Sequence, residues 1–265
     1  MRKTRGPRRT ERTPELERQQ IESREIEHWI DEGAVRDAAI GATRRGGSDD
    51  RGRPAPVVDP EVVAEIHEAL DPQRAARLSE RLASASAALD RERFDEARRM
   101  VAPLVRELPR VAAVHEVNGL ASYRTGRWSH AAQSLELARQ LKPDPTLLPV
   151  LADCYRALKR WSDVDNVWRE VKAASPSHDV MAEARIVVAG AYADRGEIAE
   201  AIKLMQPAQN PPKRVRPHHL RQWYVLADFY DRAGDTMSAA RWFQIIATHE
   251  PHFADVRERL RSLGR

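Results

Sequence analysis

The residues of this chain best suited to metal binding or nucleophilic chemistry are nine histidines and one cysteine. Three histidines are each followed by glutamate: His67-Glu68, His115-Glu116 and His249-Glu250. A zinc-peptidase helix needs a second histidine four residues after the first, so that both imidazoles reach one metal from one helix face. Those positions hold Asp71, Gly119 and Phe253, so none of the three qualifies. His249 and His252 lie three apart with Pro251 between them, and His218-His219 has no carboxylate or thiol beside it in sequence. Cys154 follows Leu151 and precedes Tyr155 on a helical pattern, which suits a small packing residue better than a reactive thiol. A lone cysteine also rules out an intrachain disulfide or an all-cysteine metal site. No phosphate-cradling glycine loop, G-x-S-x-G elbow or HExxH motif occurs. The expectation is a protein with no catalytic residues, no metal and no cofactor.

What remains is surface chemistry, and charge dominates it. Charged residues make up 32% of the 265, mean hydropathy is −0.63 and the net charge is +4. Only six of the 44 basic residues are lysine, and with the many alanines this points to a GC-rich bacterial source. The excess of positive charge is local. Arg2, Lys3, Arg5, Arg8 and Arg9 fall within the first ten residues with no acid among them, and Lys213, Arg214 and Arg216 form a second group near proline. A nucleic-acid module concentrates its cations on one face, and the rest of the chain mixes both signs. No apolar run of about 18 residues occurs, as a membrane-spanning helix requires. No apolar stretch follows the basic start, so the cytoplasm is the expected compartment.

These groups must be positioned by helices, because no alternating strand pattern appears. Residues 1–57 read as a flexible charged tail: 1–13 and 44–56 lack the apolar content to offset ordering entropy. Within it, Thr13-Pro14-Glu15 opens a short helix over about 14–32. Asp59-Pro60-Glu61 gives the same start signal to a leading helix within 58–77, and Asp71-Pro72 starts another. From Leu78 onward helix–turn–helix units recur. The clearest starts at Leu220 and carries Trp223, Leu226-Ala227, Tyr230, Gly234, Ala239, Phe243 and Pro251. The others occupy 78–111, 112–144, 145–181 and 182–219, with 220–253 last and a capping helix at 254–265 built on Phe253, Val256 and Leu260. Unit starts are 34, 33, 37 and 38 residues apart by subtraction, a period that marks a helical solenoid. Pro103 and Pro207 fall within second helices and should bend or shorten them.

The unit from Leu220 resembles the tetratricopeptide (TPR) pattern W-x2-L-G-x2-Y…A-x3-F…P at every spacing, with Ala227 in place of the glycine. The resemblance implies an all-α, right-handed superhelix of about five repeats with a C-terminal capping helix. The segments VNGLASYRTGRWSHAAQSLELAR and LPVLADCYRALKRW also look similar to an uncharacterised group of actinobacterial TPR proteins. TPR arrays bind peptides on the concave surface formed by the first helix of each repeat, so the resemblance implies a protein-binding scaffold whose partner is a peptide or helix.

Helix geometry puts Glu116, Leu120, Tyr123 and Arg124 on that surface in the second unit, Asp153 and Arg156 in the third, and Tyr224, Asp228, Asp231 and Arg232 in the fifth. Exposed tyrosines among mixed charges suit a partner bearing both signs. The carboxylate clamp of co-chaperone TPR proteins is absent, because Leu82, Ser86, Glu116 and Leu120 stand in its places. The alternative is an RNA- or ribosome-associated factor contacting phosphates through the basic tail and the 213–221 loop.

Overall fold

The structure is a computed structural model and describes residues 58–264. The expected tail at 1–57, its helix at 14–32 and the cations Arg2, Lys3, Arg5, Arg8 and Arg9 lie outside the described residues. Twelve α-helices and no strands occur among the described residues.

The leading helix α1 (Pro60–Ala69) and the next, α2 (Pro72–Asp90), begin with the same device. Asp59 accepts a hydrogen bond from Glu61 N at 2.9 Å and Asp71 from Arg74 N at 3.0 Å, each followed by proline in the first turn. Such caps contribute about 1 kcal/mol each. The Asp71-Pro72 signal therefore sets the start of the first repeat's first helix, six residues ahead of Leu78. Helices then pair: α2 with α3 (Phe94–Glu107), α4 (Ala112–Arg124) with α5 (Trp128–Leu141) and α6 (Leu148–Ala157) with α7 (Trp161–Ala174). The last two pairs are α8 (His178–Asp194) with α9 (Ile198–Leu204) and α10 (Pro217–Arg232) with α11 (Thr236–His249), and α12 (Val256–Ser262) covers the end. This is a TPR-type solenoid of five helix–turn–helix repeats with a capping helix.

Every pair turns in the same way. A residue at positive φ follows each first helix: Glu92 (61°), Gly126 (72°), Lys159 (56°), Gly196 (82°) and Gly234 (80°). The next residue's N–H then reaches back five positions, as in Arg93 to Ala88 O (2.8 Å), Arg127 to Ser122 O (2.9 Å), Arg160 to Tyr155 O (2.8 Å), Glu197 to Tyr192 O (2.9 Å) and Asp235 to Tyr230 O (2.9 Å). These are Schellman closures, which use a left-handed residue to satisfy the last carbonyls of a helix. Their spacings are 34, 33, 37 and 38 residues by subtraction, the same series as the unit starts. Gly119 has a different job. A Cβ there would lie 2.7 Å from Leu135 Cγ, so its lack of a side chain lets α4 approach α5.

First helices are buried on two sides. On α8, Ala184, Val188 and Ala191 pack toward the third repeat while Ala189 and Ala193 pack toward the fifth. The core accordingly runs as successive clusters along the chain, each bridging neighbouring repeats. Trp223 and Trp242 are buried in them, Trp128 is buried, Trp161 and Trp168 are half-buried, and Cys154 is fully buried. The two helix prolines behave differently. Pro103 is carried inside α3, whereas at Pro207 the backbone tightens into a 3-10 turn, Gln206–Gln209, and leaves α9 only seven residues long.

Candidate functional site

Polar residues of the first helices meet those of the next repeat or of the capping helix at sequence separations of 28 to 39. Opposite polar groups there meet directly. Tyr123 Oη on α4 donates to Asp153 Oδ2 on α6 at 2.6 Å. One turn on, Arg156 Nε and Nη2 grip both oxygens of Asp194, at the end of α8, at 2.6 and 3.0 Å, and Arg156 Nη1 stands 3.8 Å from Asp153. Gly190 makes room for that guanidinium, since a Cβ would lie 2.5 Å from Arg156 Cζ. Arg221 on α10 pairs with Glu183 on α8. Arg259 on the capping helix binds Asp228 at 2.7 Å and Asp231 at 3.1 Å, and Tyr224 Oη donates to Asp255 at 2.5 Å. The face forms a ladder of cross-repeat bonds.

That ladder corrects the sequence reading of the surface. Tyr224 was expected to be exposed and is buried, 2% accessible, against Phe243 and Phe253. Burial and the Asp255 carboxylate push its phenol far above the ordinary range. Asp153 is likewise buried and Tyr123 half-buried. Asp228 and Asp231 are engaged by the capping helix. Arg124 lies over the Phe94 ring at 4.4 Å, with Glu92 at 3.8 Å. Arg232 is exposed, with Nη2 3.2 Å from Ala193 O. The physical reason is common to all: helical periodicity says which way a side chain leaves its own helix, not that the next repeat fills the space it enters.

Two of the expected residues remain different in kind. Leu120 is half-buried and packs on the core of the second and third repeats. Glu116, half-buried beside it, makes no hydrogen bond or ion pair with any described residue. Burial, reinforced by the Asp144 carboxylate and opposed by Lys142, holds its carboxyl above the usual carboxylate range.

At the connector, Lys213, Arg214 and Arg216 are exposed, and none forms an ion pair with a described residue. Sequence reasoning missed the partners that pair with the first-helix face and the start of α10: Asp179, Glu183, Asp194, Asp255 and Arg259. The available signal was charge or phenol–carboxylate complementarity at one-repeat spacing, as in Arg156/Asp194 and Tyr224/Asp255. Among the described residues no group of three or more His, Cys, Asp or Glu is placed to hold a metal ion, and no helix is long and apolar enough to cross a membrane.

No protein-family model matches the chain, and no curated protein matches it. Among solved structures it is similar to a chain in the structure of Naa15/Naa10 bound to HypK-THB, at 14% identity and a TM-score of 0.43, over 92% of this chain. The match takes in 38% of that chain, so the present sequence spans well under half its length.

Proposed function

We propose that the protein is a non-enzymatic, cytoplasmic TPR scaffold that holds a partner peptide or helix along its first-helix face. The observation that carries this reading is Glu116, a half-buried carboxyl with no hydrogen-bond or ion-pair partner among the described residues, on a face where the neighbouring charges are paired. An unpaired, partly desolvated carboxylate is costly to the free protein and favourable to a partner that brings a cation. Leu120, one turn along α4, supplies an apolar contact beside it. The cross-repeat bonds of Tyr123, Asp153 and Arg156 then act as pre-organisation, holding the surface in shape before the partner arrives. The TPR pattern from Leu220 to Pro251 supports the same use.

The test is capture by the full chain against Glu116→Lys. A partner retained by the parent and lost by the variant, with the helical circular-dichroism signal unchanged, is the expected result. Identical captured sets would refute the groove assignment.

A second reading rests on Lys213, Arg214 and Arg216, exposed cations without acid partners among the described residues, which suit RNA or another polyanion. It predicts binding to a single-stranded RNA that weakens as salt rises. The salt slope should drop by about 2 when all three are neutralised, at about 0.7 per lost phosphate contact on a single strand. No retention of RNA at low salt would eliminate it.

A further inference from the structure

The connector between the fourth and fifth repeats ends in a chain of hydrogen bonds whose proton positions are fixed from its two ends. The backbone N–H of Arg216 lies 2.9 Å from His219 Nδ1. A backbone amide only donates, so Nδ1 is unprotonated and neutral His219 carries its proton on Nε2. That atom is 3.0 Å from His218 Nε2, which must accept and leave the His218 proton on Nδ1. His218 Nδ1 is 2.5 Å from Asp179 Oδ1, a carboxylate that accepts it. Every link is satisfied when both imidazoles are neutral. A proton added at His219 Nδ1 would face the Arg216 N–H, and one added at His218 Nε2 would face the His219 Nε2–H. Either addition breaks a link.

The pair is well placed to matter. His218 is 7% exposed and His219 half-buried, stacked 6.2 Å from the Trp223 ring. The charged and titratable groups around them are Asp179, Glu183 and His178 on α8, with Arg216 and Arg221 on their own segment. A metal ion between the two Nε2 atoms would displace a proton that has nowhere else to sit, because His219 Nδ1 is already facing a donor. The arrangement is built for protons.

We propose that Arg216 N–H, His219, His218 and Asp179 form a pH-sensitive latch, which fastens the connector and the first turn of α10 to α8 while both imidazoles are neutral and frees them when either gains a proton. Arg221 to Glu183 and the Trp223 Nε1 bond to Ala208 O, 2.8 Å, sit outside the chain of imidazoles and keep the fifth repeat seated. Acid therefore loosens the segment carrying Lys213, Arg214 and Arg216 without detaching the repeat. Burial lowers both imidazoles below their ordinary value; for His219 the neighbouring His218 adds to this, while for His218 the Asp179 carboxylate opposes it. The sign follows: the latched form is fully favoured above about pH 6.5, the value of a free imidazole, and loses ground as the pH falls below it. Each proton taken up on opening raises the open fraction by up to about tenfold per pH unit in that window.

Two measurements on the full chain test this. Long-range nitrogen–proton correlation spectra at pH 7.5 should show His219 as the Nε2–H tautomer and His218 as the Nδ1–H tautomer. Amide exchange across 213–220, corrected for its intrinsic pH dependence, should accelerate at least about tenfold between pH 7.5 and 5.0, while amides of α4 and α5 keep their protection. In His218→Asn/His219→Asn, which cannot titrate, that step should vanish. Opposite tautomers, a parent with no step, or a double variant that keeps the step would each overturn the latch. The first two readouts need no variant, so they decide the matter even if the double variant folds poorly.

Discussion

The junction between the second and third repeats and that between the fourth and fifth solve one problem in two ways. In the former the chain passes from α5 to α6 through Lys142-Pro143-Asp144 and a 3-10 turn, Pro145–Leu147, with Asp144 accepting from Thr146 N at 2.8 Å. Side chains of standard repeat positions do the rest: Tyr123 binds Asp153, and Tyr155 Oη donates to Glu136 Oε1 at 2.5 Å, with Arg139 tying Glu136 to Glu170. In the latter, α9 is cut short at a proline turn and seven residues, 210–216, follow before α10. Ordering each residue costs about 1–2 kcal/mol, and this connector has little apolar surface to offset that. The turn before it is pinned by Trp223, whose Nε1 donates to Ala208 O, and by Gln209 Nε2 on Tyr230 Oη at 3.1 Å, and its far end by the Arg216 N–H on His219 Nδ1. Both junctions draw on repeat-pattern side chains, and the long one turns two of them, Trp223 and Tyr230, onto the 3-10 turn that precedes it.

The largest break in this contrast should come from Trp223→Ala. It empties a site 1% exposed and orphans the Ala208 carbonyl, so a loss of about 3–5 kcal/mol is expected. Urea unfolding followed by amide exchange should show the fifth repeat opening first while the second and third keep their protection. Tyr155→Phe is the matching change in the short junction. Glu136 retains Arg139, so the loss should be nearer 1 kcal/mol, measured by the urea midpoint.

The two junctions should also fail at opposite ends of the pH scale. Burial and the Glu136 carboxylate push the Tyr155 phenol well above its ordinary value of about 10. The unfolded phenol ionises first, so stability is full below pH 10 and falls as pH rises above it. Ultraviolet titration should accordingly find Tyr155 and Tyr224 still protonated above pH 10, the range of a free phenol. The connector, by contrast, should loosen on the acid side. The smallest effect should be a gain: Lys159→Gly relieves an exposed left-handed residue at φ 56° and should raise thermal stability by up to about 1 kcal/mol.

How much of this was legible in the sequence depends on which residue carried the geometry. Gly126, Gly196 and Gly234 announce their turns because only glycine adopts positive φ without strain. Glu92 and Lys159 perform the same turn with side chains attached, so the first and third repeats are marked by the aromatic that opens each second helix, Phe94 and Trp161. The caps at Asp59 and Asp71 are local and could be read directly. The site was less legible. Its residues lie on first helices, yet their exposure depends on contacts one repeat away; among the described residues Glu116 and the connector cations are left without an ion pair, whereas Tyr224 and Asp153 are buried. The His218–Asp179 pairing joins residues 39 positions apart by subtraction across a connector of irregular length, and no local pattern predicts that.

The five Schellman closures have a consequence for evolution and engineering. Every first-to-second-helix turn has one length and one shape, and the longer spacings of 37 and 38 residues arise wholly on the opposite edge, from extended first helices and the connectors before them. The solenoid therefore has a uniform selvedge and a tailored hem. New segments, epitope tags or whole inserted domains belong at the hem, between residues 210 and 216, where length has already been added without throwing the next repeat out of phase.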